Sequence, residues 1–441
     1  MSLSIAQNTL MKSACLLLCA IPSIIVVVTL QNGVIGDGPE YHQIAVNVLQ
    51  RHVFSEAYGI PYEPTVFRSL GYPVFLAAIY AITSQSTGAV RMVQLLLFWL
   101  SAWGAGRIAA RLFSPLAGFI ATCLTLLYLP LVSFVPIHMT ELLSACLLIW
   151  ALWLFLWLDD EGFPWRSMLC GLMLASLALV RPTYVLLIIF LLPFLPWKNS
   201  RRRTWRNACC MLLLFAAPIC LWIVRNSLIA KRPVGLTAGM GVILYESAMQ
   251  YSGRISYKRT ASEWQVIHAA EHAQEQEVFQ KTPSNDGSQV PRNIRYELAI
   301  DREFREEAAR MFHRDGIPHP FTNLIKRMSY LWAPSDLLTG WPHAISEVES
   351  VIFVALVAMG AWSLKTRPKI LLLLFLPALY TTLLHLVFQV EGRYSLPARL
   401  PLMVVAGYGL ACFCRNELKV RPQPELQTTS GLSGKLNEIP G

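Results

Sequence analysis

Charged residues are scarce in this sequence, and their scarcity is uneven. Asp, Glu, Lys and Arg make up 15% of the 441 residues, whereas a soluble domain usually has about 25%. Three stretches have almost no charge: 15–30, 142–158 and 371–390. Each has about 16 to 20 residues, which is enough for a helix to cross a hydrocarbon core of about 30 Å. The sequence therefore argues against a soluble enzyme and predicts a membrane protein.

The fold class that follows is an all-α membrane protein, because a helix satisfies its own backbone hydrogen bonds in lipid. Length and hydropathy predict about ten transmembrane helices. The apolar run 70–82 is short for a crossing, and we expect it to lie at the outer interface. No small-x-small cleavage site follows the first span, which we interpret as an uncleaved anchor. The predicted spans are 11–30, 88–106, 115–135, 141–158, 167–181, 183–197, 208–228, 348–364, 370–388 and 396–414.

Other features that the sequence lacks exclude further classes. The ten cysteines lie in apolar runs or at their edges, and the polar segment 252–327 has none. Disulfides and a cysteine-based zinc site are therefore not expected. The net charge of +10 comes from basic residues in short loops between predicted spans. That distribution orients a protein in a bilayer, so we expect membrane lipids as partners and no nucleic acid.

The basic loops predict which side of the membrane each segment occupies. The strongest is 198–203, and positive charge marks the cytoplasmic side. On this topology the N-terminus is inside and residues 31–70 form the first outer loop. We expect four parts in chain order: a membrane module 1–250, an outer helical segment 251–346, C-terminal membrane helices 347–415 and a cytoplasmic tail 416–441.

One consequence of this topology concerns function. A set of ionisable residues falls at the outer boundary between membrane and water, several of them at predicted helix ends. Ionisable groups beside lipid are costly, so each is a candidate for a functional role. The set is Asp37, Glu40, Arg68, His138, Glu141, Arg181, Arg225, Glu391 and Arg393.

The first outer loop contains two carboxylates about one helical turn apart, Asp37 and Glu40. They open an amphipathic helix suited to the membrane surface. Asp37 has two interpretations from spacing alone. It is either a helix N-cap or a general base whose pKa rises beside lipid. Arg68, at the end of the loop, also has two interpretations. Its guanidinium either donates hydrogen bonds to a lipid phosphate or anchors the loop at the membrane interface.

Several motifs occur in a fixed order along the chain. They are Asp37-x-x-x-Tyr41, Arg68-x-x-Gly71-Tyr72-Pro73, Arg91-x-x-Gln94, Thr140-Glu141, Leu179-Val180-Arg181-Pro182-Thr183, Arg225-Asn226 and Glu391-x-Arg393-Tyr394. This ordered set resembles the C-fold (GT-C) glycosyltransferases that use polyprenyl-phosphate sugars. Within them it is most similar to the protein O-mannosyltransferases and the lipid A aminoarabinose transferases. The resemblance extends over residues 10–415 and is weakest over 250–345.

The resemblance implies a transferase that moves a sugar from an isoprenoid phosphate to a hydroxyl acceptor at the outer leaflet. Asp37 would be the base, with Glu40 as an alternative, and Glu141 a second acidic site residue. Arg68, Arg181 and Arg393 would hold the donor phosphate. The other substrate-binding candidates are Tyr41, Tyr72, His138, Arg225, Glu391 and Tyr394.

Two points stay open from the sequence. The leaving phosphate needs charge neutralisation, which an arginine cluster or a divalent metal would supply. The aminoarabinose transferases carry an acidic residue and a lysine where this chain has Phe67-Arg68, so neither the donor nor a metal requirement follows. Ion pairing that merely holds helix ends together is the alternative interpretation of Glu141, Arg181 and Arg393.

The expected acceptor is a hydroxyl-bearing lipid, glycan or protein. The alternative function is a transporter or flippase of a lipid-linked substrate. A transporter typically has repeated halves and ionisable residues near the bilayer midplane, and this sequence has no evident repeat. The short basic loops favour a bacterial inner membrane, with the active site facing the periplasm. The membrane of the endoplasmic reticulum is the alternative location, because the same physics applies there.

Overall fold

A computed structural model of the protein describes residues 2–29, 34–158, 164–195, 201–256, 294–316, 320–334 and 341–414, with isolated positions between 265 and 276. These continuous ranges contain sixteen α-helices and three short 3₁₀ helices, and no strand. The all-α fold class predicted from the sequence is therefore confirmed. The predicted tail 416–441 lies outside the described residues.

The helices follow one another closely along the chain. In order they are α1 Ser2–Thr29, α2 Gly38–Arg51, α3 Gly71–Thr83, α4 Thr87–Leu112, α5 Pro115–Leu127, α6 Leu129–Val132, α7 Glu141–Phe155, α8 Trp165–Val180, α9 Leu187–Leu191, α10 Arg201–Ala230, α11 Met240–Tyr251, α12 Ile294–Asp315, α13 Pro320–Leu331, α14 Trp341–Ser363, α15 Pro368–Leu384 and α16 Leu396–Cys414.

Five of the described helical segments are long and apolar enough to cross a membrane: Met11–Thr29, Thr87–Leu112, Arg201–Ala230, Pro342–Ser363 and Gly392–Cys414. Six shorter apolar segments accompany them: Gly71–Thr83, Pro115–Leu127, Glu141–Phe155, Trp165–Val180, Pro182–Phe194 and Pro368–Leu384. Each of the ten predicted spans overlaps one of these segments. The remaining one is α3, whose 13 residues extend about 20 Å. Its expected position at the outer interface stays a prediction.

Prolines make two of the predicted spans less regular than expected. The span predicted at 115–135 is divided into α5 and α6, with Pro130 beside the break. The described part of the span predicted at 183–197 has two 3₁₀ turns around the five-residue α9, with prolines at 182 and 193. Proline has no backbone N–H and its ring clashes with the preceding turn, so a continuous α-helix does not form there.

The most buried apolar helix is α16, which packs against α4, α5, α7, α14 and α15. Glycines on α16 permit this packing. A Cβ atom on Gly409 would lie 2.6 Å from the backbone nitrogen of Gly360, and one on Gly407 would lie 2.7 Å from Cβ of Ala121. Small residues of this kind allow helices to approach closely in lipid. The 3₁₀ turn Gly392–Ser395 directly precedes α16, so its residues are attached to the most constrained helix.

The C-terminal end of α8 is in direct contact with the start of α3. A Cβ atom on Gly71 would lie 2.6 Å from Cγ2 and 2.7 Å from the backbone nitrogen of Val180. Ser69 strengthens this junction because its hydroxyl donates to the Val180 carbonyl at 3.1 Å. The junction brings the segment that ends the first outer loop next to Arg181, the residue that follows α8.

The Gly71→Ala substitution tests this junction. Because the added methyl group meets backbone atoms, we expect a loss of about 1–3 kcal/mol in the free energy of unfolding. Thermal unfolding in detergent measures it. The control is Gly88→Ala in α4, where the nearest atoms would lie at 3.5 and 3.8 Å, an ordinary contact distance. An equal melting temperature for both variants would contradict the close approach.

Candidate active site

Asp37 lies at the start of α2, but its side chain does not cap the helix. Gly36 has a φ of +58°, a conformation that favours glycine, and Pro39 occupies the first turn of α2. No hydrogen bond runs from the Asp37 side chain to the backbone of α2. The carboxylate instead contacts two arginines, Arg68 and Arg393. Asp37 therefore occupies the N-cap position of α2, but its side chain does not cap the helix, and in this respect the N-cap interpretation is wrong.

Arg68 is surrounded by carboxylates of the first outer loop. Its Nη1 lies 3.3 Å from Oδ1 of Asp37, and its Nε lies 3.9 Å from Oε1 of Glu56. A third ion pair joins Arg68 to Glu40. The guanidinium carbon also lies 5.8 Å from the centre of the Tyr41 ring. Arg68 is thus held on several sides by side chains of the first outer loop.

Arg393 joins three separate segments of the chain. Its Nη1 lies 3.6 Å from Oδ2 of Asp37 and 4.0 Å from Oε1 of Glu141. Its Nε lies 2.5 Å from Oε2 of Glu391. The three carboxylates come from the first outer loop, the start of α7 and the turn before α16. Arg393 is therefore where these three segments meet.

Arg181 completes the group from the end of α8. It follows the last helical residue because a residue before proline disfavours the α conformation, and Pro182 comes next. Its Nη1 lies 3.5 Å from Oε1 of Glu141, and both side chains are buried. Glu141 is in the first turn of α7, where the helix dipole favours a carboxylate.

These ion pairs form one connected network, which we call the outer charge cluster. It contains five carboxylates and three guanidinium groups: Asp37, Glu40, Glu56, Glu141, Glu391, Arg68, Arg181 and Arg393. All eight residues lie in outer loops or at helix ends of the predicted topology. The ion pairs that the alternative interpretation of Glu141, Arg181 and Arg393 requires are therefore present. They leave a role in substrate binding open, since the pairs surround the expected base.

Aromatic rings line this cluster on two sides. The rings of Tyr41 and Tyr72 meet edge to face with centres 5.1 Å apart. The hydroxyl of Tyr72 donates to Oε1 of Gln94 at 2.7 Å. On the other side the Tyr394 ring lies 5.2 Å from the guanidinium carbons of both Arg181 and Arg393. Cations placed over aromatic faces in this way are stabilised when water is excluded.

Two helices that pack against each other, α11 and α12, fix both loops that contribute to the cluster. Oε2 of Glu297 on α12 accepts a hydrogen bond from the backbone N–H of Val66 at 2.9 Å. The side-chain amide of Gln250 on α11 forms two bonds of 3.0 Å with the backbone of Val390. Val66 is two residues from Arg68, and Val390 is adjacent to Glu391. Helices α11 and α12 therefore set the positions of two of the cluster's arginines.

Two predicted substrate-binding residues have other surroundings. Arg225 donates to the carbonyl of Thr65 at 2.7 Å, and its guanidinium stacks on the Phe54 and Trp222 rings, so it holds the first outer loop against α10. His138 is fully buried beneath the start of α2. Burial lowers the pKa of His138 to about 4, so the imidazole is neutral at neutral pH and is not a cation for a phosphate.

Two residues of the site were not predicted from the sequence. Glu56 is a single carboxylate in an irregular loop, and nothing in its neighbourhood distinguishes it. Gln389 lies two residues before Glu391 and donates to Oε1 of Glu391 at 3.1 Å and to the Tyr394 hydroxyl at 2.5 Å. Its proximity to the Glu391 motif is the only sequence signal that points to it.

The pKa of Asp37 is shifted in the direction opposite to the one expected from the sequence. Burial alone would raise its pKa, but the guanidinium groups of Arg68 and Arg393 outweigh burial and lower the pKa of Asp37 below its ordinary value of 3.8. The expected rise toward neutrality is therefore wrong for this state of the protein. The reason is that both carboxylate oxygens face arginines, whose positions relative to Asp37 the sequence does not reveal.

The cluster does not fit a divalent metal ion as it stands. A metal site needs several ligand atoms that converge at about 2.0–2.6 Å from one point. Within the described ranges, one group of three Asp, Glu, His or Cys ligand atoms lies within 4.8 Å of one another, namely Cys15, Cys19 and Cys123 in α1 and α5. At the outer charge cluster the central position among the carboxylates is taken by Arg393 instead.

The fold is that of the C-type glycosyltransferases, as the sequence resemblance implied. It is similar to the oligosaccharyltransferase AglB from Archaeoglobus fulgidus in complex with an inhibitory peptide and a dolichol-phosphate, with a TM-score of 0.51 and 12% identity. The similarity covers 98% of this chain and 53% of that one. This chain thus spans about half the length of the archaeal protein.

Sequence comparison adds a match over part of the chain. The family model described as dolichyl-phosphate-mannose-protein mannosyltransferase matches residues 68–226, a segment that contains Arg68, Glu141 and Arg181 and covers less than half of the chain. A more distant structure is ArnT from Cupriavidus metallidurans bound to undecaprenyl phosphate. It has a TM-score of 0.40 and 13% identity, over 92% of this chain and 78% of that one. No curated protein matches the sequence significantly.

The lowered pKa of Asp37 makes a prediction about pH. A carboxylate whose pKa is lower in the folded state stabilises the fold above its unfolded pKa, and this contribution disappears as the pH falls through the folded value. We therefore expect Asp37→Asn to lower the melting temperature in detergent near pH 7. The difference from wild type should shrink below about pH 4.

The control is Asp315→Asn, because Asp315 also lies between two arginines, Arg314 at 2.7 Å and Arg254 at 3.0 Å. These pairs are at the surface, so solvent screening should leave little effect on the melting temperature at any pH. A difference for Asp37→Asn that grows on acidification would contradict the sign derived above.

Proposed function

We propose that the protein is a membrane glycosyltransferase that moves a sugar from a polyprenyl-phosphate donor to a hydroxyl acceptor at the outer face of the membrane. The observation that carries the proposal is the overlap of two findings. The family match begins at Arg68 and includes Glu141 and Arg181, and these three residues contact one another through Asp37 and Arg393 at the helix ends.

The name of the matched family and the ligand of the archaeal structure agree on the donor class. The family's description names dolichyl-phosphate-mannose, and the structure of the archaeal protein contains a dolichol-phosphate. Both are isoprenoid phosphates. For this chain we propose a donor of the same class, with either a hexose or a pentose as the transferred sugar.

The arginines have a defined task in this reaction. The acceptor oxygen attacks the anomeric carbon of the sugar, and the bond between that carbon and the phosphate oxygen breaks. The bonding electrons stay on the phosphate, which leaves as an anion. Arg68, Arg181 and Arg393 would bind that phosphate, since a guanidinium has five N–H donors in a planar fork that matches phosphate oxygens. Stabilising this charge lowers the barrier.

Asp37 would take the proton of the acceptor hydroxyl. In the structure its carboxylate faces Arg68 and Arg393, and in that state it is a weak base. A donor phosphate that binds the same arginines would weaken both ion pairs and raise the pKa of Asp37. The base would then become active only when the donor is present. Glu40, the other carboxylate at the start of α2, is the alternative base.

The remaining residues would shape the site around the reacting groups. Tyr41, Tyr72 and Tyr394 provide ring faces beside the arginines, and Glu391 would orient Arg393. Arg225 and His138 would act indirectly by holding the first outer loop and the start of α2. The outer helices α11 and α12, which contact both site loops, are the candidates for contact with a lipid, glycan or protein acceptor.

For the location we propose a bacterial inner membrane with the site facing the periplasm. The support is the placement of the cluster at one end of the apolar helices. In addition, basic residues are frequent in the loops predicted at the other end.

The first test is transfer of a radiolabelled sugar from polyprenyl-phosphate donors in membranes that contain wild-type protein or Asp37→Asn. Asn preserves the size of the side chain but cannot accept the proton. We expect Asp37→Asn to reduce transfer by about 10²-fold or more, while Asp315→Asn transfers like wild type. Retention of the folded state would be checked for each variant in detergent.

The other outcomes of this test have definite meanings. Equal transfer by Asp37→Asn and wild type would remove Asp37 as the base and direct attention to Glu40 or Glu141. No transfer by wild type from any donor, in membranes with endogenous acceptors, would contradict a transferase and favour a transporter or flippase.

A further inference from the structure

The position of Arg393 among the carboxylates has a consequence beyond donor binding. Three carboxylates from three separate segments converge on its guanidinium, namely Asp37, Glu141 and Glu391. Carboxylates brought together from different loops repel one another unless a cation lies between them. The turn that carries Arg393 is therefore required for the other two segments to meet at all.

The charge balance strengthens this requirement. The outer charge cluster has five carboxylates against three guanidinium groups. Glu56, Glu141 and Glu391 are buried, so water screens them poorly. Removal of Arg393 would take away the guanidinium that Asp37, Glu141 and Glu391 share, and of the ion pairs given above those of Arg68 and Arg181 would remain. Without a replacement cation, the carboxylates would have to separate or bind protons.

Oxygen ligands of this type, drawn together from several loops, are what a divalent cation such as Mn²⁺ prefers. In this protein the guanidinium of Arg393 lies among the three carboxylates instead. We infer that Arg393 is a built-in cation that takes the place of a divalent metal, holding Asp37, Glu141 and Glu391 together and facing the leaving phosphate. In so far as it concerns catalysis, this inference rests on the proposed function.

A built-in cation differs from a metal ion because it cannot dissociate. Arg393 lies in the turn Gly392–Ser395, directly before α16, the most buried apolar helix. The turn is fixed from the outer side as well, because Ser395 and the buried Arg399 both bond to the carbonyl of Leu331 at the end of α13. The backbone thus sets the position of the positive charge, and no ion has to be acquired.

The first experiment measures Mn²⁺ binding by electron paramagnetic resonance on purified protein in detergent, without any sugar donor. We expect only weak binding to wild type. In Arg393→Ala the three carboxylates lose their cation, and we expect Mn²⁺ to bind at least about 10-fold more tightly than to wild type. Glu391→Gln added to Arg393→Ala should abolish that binding, and Arg393→Lys, which keeps a cation, should not bind Mn²⁺.

The matched control is Arg310→Ala on α12. Arg310 also lies between two carboxylates, Glu303 and Glu307, each at 2.8 Å, but at an exposed surface. We expect its removal to create no Mn²⁺ site, because carboxylates in water need no cation to coexist. Equal Mn²⁺ binding to wild type and Arg393→Ala would overturn the inference, and so would binding to Arg310→Ala as tight as that to Arg393→Ala.

The second experiment measures sugar transfer in membranes treated with EDTA. We expect wild type to keep its activity. Arg393→Ala should lose transfer by about 10²-fold or more and recover at least a tenth of it on addition of Mn²⁺ or guanidinium chloride at low concentration. EDTA inhibition of wild type that Mn²⁺ or Mg²⁺ reverses would overturn the inference and leave the proposed function intact.

The two experiments separate the possible failures. If wild type transfers no sugar, the proposed function fails, but the Mn²⁺ measurements still decide whether Arg393 stands in for a metal. If Arg393→Ala does not fold without metal, the deciding measurement is its purification with Mn²⁺ present. Recovery of folded protein under that condition supports the inference. EDTA-sensitive transfer by wild type contradicts the inference whether or not the variant folds.

Discussion

The structure depends most on the double ion pair of Asp37, whose two carboxylate oxygens face Arg68 and Arg393. Charges so near lipid are tolerated only when paired. Since Arg68 ends the first outer loop and Arg393 precedes α16, pairing both with one carboxylate fixes the two loops relative to each other. Glu141 and Arg181 extend the same network to the ends of α7 and α8.

The helices and the outer segment make this arrangement possible in different ways. Close contacts at glycines, such as Gly71 against Val180 and Gly409 against Gly360, set the distances between helix ends. Helices α12 and α11 then fix the loops, through Glu297 on one side and Gln250 on the other. A cluster with more carboxylates than arginines is stable only in such a frame, because its repulsion has to be balanced by contacts elsewhere.

The same pairing links structure to chemistry. A carboxylate held by two guanidinium groups is a poor base, and a phosphate that binds those groups would free it. Substrate binding and base activation would thus be one electrostatic event. The sequence indicated the participants, because ionisable residues beside lipid stand out in a chain with so little charge. It also led to the wrong direction for the pKa of Asp37, since local sequence shows burial but not the partners of a carboxylate.

Sequence patterns were sufficient to predict the all-α membrane fold, the approximate positions of the apolar helices and most members of the cluster. Length, hydropathy and motif order are local properties, so they can be read without contacts. Only the packed structure shows that Glu56 and Gln389 contact members of the cluster, that Arg225 bonds to the first outer loop, that His138 is buried, and that Arg393 lies among three carboxylates. These findings depend on distances between segments far apart in the chain, and such distances are set by packing.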